Sequence, residues 1–247
     1  MKKALKFTLP LLPIAAVAGW FVGAYQLESY GPEMTELLVA QFGSLQTALL
    51  VLAVQTTVYA AVCGFFGFLL ADKVGLMKPV RFEKKALRVT LVLSLVGGVL
   101  FSLDCWTFGK WIPEVGATYT GSYSLNTWLA SVLYGGIIEE LMLRLFMMSL
   151  LAWLIWKIFF RKLESCPEGV LIAANVIAAL LFAAGHLPAT ITLFGALTPI
   201  ILLRCFLLNG GFGLLFGWLY RKHGIQYAMV SHAMLHIVSK LIWTIFL

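Results

Sequence analysis

Residues 139–144 read Glu-Glu-Leu-Met-Leu-Arg and place three formal charges inside a long apolar run that extends from about residue 125 to 160. A charged side chain at the depth of the hydrocarbon core costs roughly 2.5–3.5 kcal/mol on insertion scales. A chain carries such residues either for an ion pair that stabilises a helix bundle or for chemistry. The run therefore predicts a membrane-spanning helix that contains a polar site.

The composition of the whole chain is that of an integral membrane protein. Of its 247 residues, 61% are hydrophobic and 12% are charged, whereas an ordinary soluble domain has about 25% charged residues. The net charge of +7 does not indicate a nucleic-acid partner, because the basic residues lie mostly between hydrophobic segments, where they set membrane orientation. The four cysteines have no paired spacing and predict neither a disulfide framework nor a zinc knuckle.

Hydrophobic segments of about 20 residues or more predict an all-α, polytopic bundle of transmembrane helices. The segments cover residues 7–26, 45–71, 89–109, 125–160, 169–187, 191–220 and 225–247. The fourth and sixth are longer than a membrane crossing needs. The fourth could tilt, protrude or break near Gly135-Gly136, and the sixth could break near Asn209-Gly210-Gly211. The prediction is seven spans, or eight if one of the long segments is divided.

The charges between the segments predict how the chain is oriented. Six basic residues lie between positions 73 and 88, and three acidic residues lie between positions 28 and 36. Because basic loops remain in the cytoplasm, the N-terminus and residues 72–88 are predicted to be cytoplasmic. The lysine-rich N-terminus and the compact size favour a bacterial plasma membrane, with membrane lipid as the surrounding partner. Residues 1–124 carry no motif and residues 125–247 carry the candidate site, yet both are predicted to form one integrated membrane domain.

The charged stretch itself contains a candidate general base. On a helix, Glu140 and Arg144 are four residues apart and share a face, so the two side chains can pair. Glu139 lies about 100° from Glu140 around the helix axis and points elsewhere. Such a carboxylate, held in a low-dielectric site, suits a general base. The alternative is a buried Glu–Arg pair that only fixes the register of the helix.

Three histidines also lie in apolar segments. His186 follows Phe182 by four residues, and His232 and His236 are one helical turn apart. Together with Glu139 they predict a site that activates water for attack on a carbonyl group. Glu139 and the three histidines could instead bind a zinc ion, because carboxylate and imidazole are catalytic zinc ligands. A metal-free site without a cofactor is favoured, although spacing alone does not separate the two.

Three motifs in this order resemble one family of membrane proteins. They are Glu-Glu-xxx-Arg, Phe-xxx-His and His-xxx-Asn on separate membrane helices, the signature of the CPBP family of CAAX proteases and bacteriocin-processing (ABI) proteins. The chain resembles this family over roughly residues 125–240. The first two motifs match fully, and the third departs because His236 stands where the family usually has asparagine.

The resemblance implies an intramembrane endopeptidase. The positions that match the family's site are Glu139, Glu140, Arg144, His186, His232 and His236. By this correspondence Glu139 and His186 activate water, and His232 and His236 form the oxyanion hole. The first motif's second glutamate and its arginine organise the site.

The predicted substrate is a peptide precursor or a CAAX-type, membrane-anchored protein, and a bacterial origin favours the peptide precursor. Two other functions remain open at this point. A non-catalytic bacteriocin-immunity or scaffold protein would use the same polar cavity to bind a partner. A proton-coupled transporter would use buried Glu, Arg and His as a relay, but the chain shows no repeated halves of the kind many transporters have.

Overall fold

The computed structural model describes residues 1–119 and 121–247, which are almost entirely helical and contain no strand. Seven helices in these residues are long and apolar enough to cross a membrane. They are α1 (Lys2–Ser29), α2 (Leu45–Lys73), α3 (Lys84–Trp111), α4 (Leu125–Phe159), α5 (Glu168–Phe194), α6 (Pro199–His223) and α7 (Ile225–Phe246). The predicted all-α transmembrane bundle is confirmed, and its described part has seven spans.

Spans α1 and α3 each contain more than one helical segment. Span α1 consists of Lys2–Thr8 and the first part of the helix Leu11–Phe42, and α3 ends in the 3₁₀ turn Leu103–Cys105 and the short helix Phe108–Trp111. The helix Leu11–Phe42 is kinked at Gly31, whose φ of 78° is readily adopted only by glycine. The short helix Pro113–Gly116 lies in the loop that follows α3.

The fourth span does not break at its glycine pair. It contains, in order, the α-helix Leu125–Leu129, the π-helices Ala130–Glu139 and Leu141–Met148, and the α-helix Ser149–Phe159. In π-helix each backbone N–H bonds to the carbonyl five residues earlier, and such segments occur frequently at functional sites. A Cβ atom on Gly136 would lie 2.8 Å from the Cβ of Ala233. This glycine therefore permits close packing of α4 against α7, and of the three alternatives for the long segment the break is excluded.

The boundary between the fifth and sixth spans also differs from the prediction. Residues 191–194 belong to α5, because Gly195 adopts a left-handed conformation (φ 73°) and ends the helix there. Pro199 then begins α6, and the Thr198 hydroxyl accepts a hydrogen bond from the Ile201 backbone N–H at 3.3 Å. No break occurs at Asn209-Gly210-Gly211, where a π-helical segment, Phe206–Gly210, continues directly into the helix Gly211–His223.

The fourth span lies in the interior of the bundle. Its side chains Ile138, Leu141, Leu145 and Met148 are fully buried. Gly67 of α2 packs directly against Leu145 on one side, and α7 packs against α4 on another. The charged stretch of α4 is therefore enclosed by protein, which is how charges are usually accommodated at membrane depth.

Candidate active site

The carboxylate of Glu139 lies between two histidine rings from different spans. Its Oε1 is 4.0 Å from Nε2 of His186, and its Oε2 is 3.9 Å from Nε2 of His232. Both distances are too long for a direct hydrogen bond and suit a bridging water molecule. The side chains of Glu139 and His186 are 20% and 33% exposed, whereas that of His232 is only 5% exposed. The site therefore opens on the side of His186.

A bend in α5 fixes the orientation of His186. The helix Glu168–Gly185 ends at this residue, and the helix Leu187–Phe194 continues beyond it. The ring Nδ1 lies 2.8 Å from the carbonyl oxygen of Phe182. A carbonyl oxygen only accepts, so Nδ1–H donates and the neutral ring keeps a lone pair on Nε2. That lone pair points toward Glu139 and can accept a proton.

Glu140 joins the first motif to the third. Its side chain is fully buried, and Oε1 accepts a hydrogen bond from Nδ1 of His232 at 2.8 Å. On the other oxygen, Oε2, the Nε of Arg144 approaches to 3.4 Å. The pairing of Glu140 with Arg144 that the spacing predicts is thus present. The bond to His232, 92 positions away, orients that ring in the way a carboxylate orients a catalytic histidine.

Aromatic rings hold the remaining surface of Arg144. Its Cζ lies 4.4 Å from the centre of the Phe182 ring and 5.5 Å from that of Phe216. Neither Nη atom has a hydrogen-bond partner among residues 1–119 and 121–247. The cation is therefore stabilised by one carboxylate and two aromatic faces. Phe216 also stacks on His232, with ring centres 4.4 Å apart. Sequence reasoning missed Phe216, because one phenylalanine in an apolar span carries no distinguishing signal.

His232 and His236 face a common space in front of Gly135. Their ring centres are 5.1 Å apart. A Cβ atom on Gly135 would lie 3.4 Å from Nε2 of His236 and 3.6 Å from Nε2 of His232. The absence of a side chain at this glycine leaves that space free for a polar atom between the two imidazole rings. His236 is thus brought to the site, one turn away from the pair formed by Glu139 and His232.

The four candidate zinc ligands do not form a metal-binding group in this arrangement. Within residues 1–119 and 121–247, no three His, Cys, Asp or Glu side chains are placed to hold a metal ion together. Among them, Glu139 lies about 4 Å from both His186 and His232. The contacts therefore bring together the six predicted site residues as a network of ion pairs and ring contacts.

Seven membrane spans that enclose a carboxylate, its arginine partner and three histidines define a polytopic membrane protein with a cluster of ionisable side chains in its interior. Residues 121–238 match the model of the family described as type II CAAX prenyl endopeptidase Rce1-like. The match confirms the resemblance to the CPBP family over residues 121–238. The Rce1-like family is a family of proteases. No curated protein and no solved structure matches the chain.

Proposed function

We propose that the chain is an intramembrane endopeptidase in which Glu139 and His186 activate a water molecule. The observation that carries the proposal is the position of the Glu139 carboxylate between the two Nε2 atoms of His186 and His232. With Nδ1–H of His186 bonded to a carbonyl, its Nε2 accepts, and the Glu139 carboxylate also accepts. A water molecule between them donates one hydrogen to each and keeps a lone pair for attack on a carbonyl carbon.

The reaction then follows from the positions of the donors. The water oxygen bonds to the carbonyl carbon, its proton passes to Glu139 or His186, and the carbonyl oxygen becomes an oxyanion. His232 and His236 flank the space in front of Gly135 and would donate Nε2–H bonds to that oxyanion. When Nε2 of His232 carries a proton, the carboxylate of Glu140 on Nδ1 compensates the charge. The C–N bond breaks as the stored proton is returned to the leaving nitrogen.

The proposed mechanism is metal-free. It is supported by the separations of 4.0 and 3.9 Å between the Glu139 oxygens and the two Nε2 atoms, which a water molecule can bridge. A chelator should leave activity unchanged. Inhibition by a chelator that added zinc reverses, with stoichiometric metal in the purified protein, would contradict this part of the proposal.

The proposed substrate is a membrane-anchored peptide. Two classes fit the family: a peptide precursor, which a bacterial origin favours, and a protein with a prenylated CAAX terminus. The site lies in the membrane-spanning part of the chain, where a lipidated or apolar peptide reaches it from the bilayer. We also propose a bacterial plasma membrane with the N-terminus in the cytoplasm, which is supported by the basic residues of the loop between α2 and α3.

The proposed activity is tested with purified protein in lipid nanodiscs and two classes of peptide. One is a farnesylated peptide that ends in Cys-a-a-X, and the other is an apolar peptide precursor without a lipid group. Products are identified by mass spectrometry for the wild type and for Glu139→Gln, which removes the base and keeps the side-chain shape. Cleavage by the wild type that is lost in Glu139→Gln supports the proposal. Equal cleavage by both proteins would contradict the assignment of Glu139.

A non-catalytic immunity or scaffold protein is the second candidate function. The observation that favours it is His236, which replaces the asparagine of the third family motif. In this case neither class of peptide is cleaved, and the wild type and Glu139→Gln bind the same partner with the same affinity. Binding without cleavage by the folded wild type would therefore replace the enzyme proposal.

A further inference from the structure

Spans α4 and α7 run antiparallel, so residues that precede Glu139 in α4 face residues that follow His232 in α7. Glu139 lies beside His232, and Gly135 lies beside His236. Further in the same direction, Lys240 of α7 reaches the segment that precedes α4. Its Nζ lies 5.9 Å from the centre of the Tyr123 ring. The line of side chains along α7 from His232 through His236, called the path below, therefore ends at Lys240 and Tyr123.

Lys240 is a buried cation without a counterion. Only 6% of the residue is exposed. It makes neither an ion pair nor a hydrogen bond with any residue in 1–119 or 121–247. Its ammonium group does make a cation–π contact with the ring of Tyr123. A buried unpaired charge is costly, and lysines that only snorkel keep the ammonium group in water or among lipid headgroups. Lys240 is thus a largely buried lysine whose ammonium group has no counterion among the described residues.

Two further polar atoms on this path lack partners. The hydroxyl of Tyr123 and Nδ1 of His236 are both buried, and neither has a hydrogen-bond partner in the described part of the chain. Burial raises the pKa of Tyr123 to about 12, so its hydroxyl remains a donor at neutral pH. A buried donor that a protein leaves unpaired calls for an acceptor from elsewhere.

Two carboxylates at this end of the bundle, Asp104 and Glu28, have partners of their own. Asp104 is buried, and it accepts hydrogen bonds from Nε of Arg204 at 2.9 and 3.0 Å and from the Tyr119 hydroxyl. Tyr119 and Tyr123 both pack on Trp243 of α7, which places the Asp104 pair near the path. Arg204 neutralises Asp104, and the exposed Glu28 accepts hydrogen bonds from Ser124 at 2.5 Å and from Asn126 at 2.6 Å. Neither carboxylate pairs with Lys240, so its ammonium group is free to bind an anionic ligand.

We propose that Lys240 and Tyr123 bind the free carboxylate at the C-terminus of the peptide substrate, an inference that rests on the proposed endopeptidase function. Lys240 lies one helical turn beyond His236 and two beyond His232, or about 12 Å along the helix at 1.5 Å per residue. An extended peptide covers about 3.3–3.6 Å per residue, so three to four residues fit between the scissile bond and the carboxylate. The site therefore selects substrates that lose a short C-terminal tail.

This tail length agrees with a C-a-a-X terminus, in which three residues follow the cysteine. It also separates the two proposed substrate classes. A peptide whose cleavage site lies far from its C-terminus cannot place a carboxylate at Lys240. Both residues named in the inference lie close to the ends of the family match, with Tyr123 just inside it and Lys240 beyond it.

The inference is tested by binding to the Glu139→Gln protein in nanodiscs, which holds substrate without cleaving it. The probes are a farnesylated Cys-a-a-X peptide with a free carboxylate and the same peptide as its C-terminal amide. We expect the amide to bind roughly 10- to 100-fold more weakly, because it cannot form the charge-assisted hydrogen bonds that the carboxylate makes with Lys240 and Tyr123. Lys240→Met should remove the difference between the probes, and Tyr123→Phe should reduce it. Lys157→Met, at an exposed lysine over Trp156, is the matched control and should keep it.

Cleavage by the enzyme with Glu139 intact is measured on the same two peptides, so that the two proposals fail separately. A carboxylate preference in binding without any cleavage supports this inference and contradicts the endopeptidase. Cleavage or binding of both peptides at equal levels overturns the carboxylate site and leaves the endopeptidase standing. Binding of neither peptide also overturns it, as does an undiminished preference in Lys240→Met. Lengthening the tail by two glycine residues should weaken binding of the free-carboxylate peptide toward that of the amide.

Discussion

Replacing Arg144 by methionine removes the cation of the buried ion pair while retaining much of its aliphatic length. Glu140 would then keep the hydrogen bond from His232 and lose the guanidinium 3.4 Å from Oε2. Breaking a buried pair by removing one partner costs about 3–5 kcal/mol, because the other charge is left uncompensated. Since the bond to His232 persists, we expect a loss near 3 kcal/mol in the free energy of unfolding. The lost contacts of the guanidinium with Phe182 and Phe216 add to this cost.

A double-mutant cycle separates the charge from the packing. Glu140→Gln alone leaves Arg144 unpaired, and Glu140→Gln combined with Arg144→Met leaves neither charge buried. The double variant should therefore be more stable than either single variant, with a coupling energy of about 1–3 kcal/mol. Stability is measured by unfolding in detergent micelles, and the folded fraction is measured by size-exclusion chromatography. Arg161→Met, at an exposed position in the loop after α4, is the matched control.

The result that would refute this reasoning is an Arg144→Met protein as stable as the wild type and the Arg161→Met control. Additive effects in the cycle would also refute it, because they would show that the two side chains do not interact. In either case the pair at 3.4 Å would not be what holds Glu140 in place. His232 and the aromatic rings would then have to position the carboxylate by themselves.

Three further predictions concern the donors and the topology. His236→Asn should keep substantial activity because its amide N–H can replace the ring donor, whereas His236→Ala should lose on the order of 10²–10³ in kcat; equal activity of the alanine variant and the wild type would remove His236 from the site. Gly135→Ala should lower kcat while leaving the melting temperature nearly unchanged, because its methyl group would fill the space beside Nε2 of His232 and His236; an unchanged kcat would show that this space is not used. Single cysteines at positions 33 and 84, in a background without native cysteines, should be labelled from outside only at position 33, and the opposite pattern would reverse the predicted orientation.

Much of the fold could be predicted from hydropathy alone, since each span needs about 20 apolar residues and the loops carry the charges. The exact ends of the helices could not be predicted in this way. Residues 187–198 remain apolar through the bend at His186 and the turn at Gly195, so a hydropathy pattern does not show where one helix ends and the next begins. The turn is marked only by Gly195 and Pro199. An average of hydropathy over about 20 residues does not detect two such residues within an apolar run.

The candidate site was predictable as a set of residues and much less so as a geometry. The spacing of Glu140 and Arg144 predicts their contact, because residues four apart on a helix are neighbours. The hydrogen bond between Glu140 and His232 depends on how α4 and α7 pack, and no pattern within either helix encodes it. The π-helical winding of α4 has no clear sequence signal either, although it sets the directions in which Glu139 and Glu140 point. The catalytic roles of these residues stay predictions.

The complete burial of Arg144 has a consequence for how the protein is made. The aromatic rings that cover it, Phe182 and Phe216, follow it in the chain by about 40 and 70 residues. At about 5–20 residues per second, the ribosome delivers these partners only several seconds after α4 has emerged. During that interval α4 carries three charges, each worth roughly 2.5–3.5 kcal/mol against insertion. We therefore expect α4 to remain beside the insertion machinery or the first three helices until α5 and α6 cover Arg144, so that its final packing in the membrane is a late step of biogenesis.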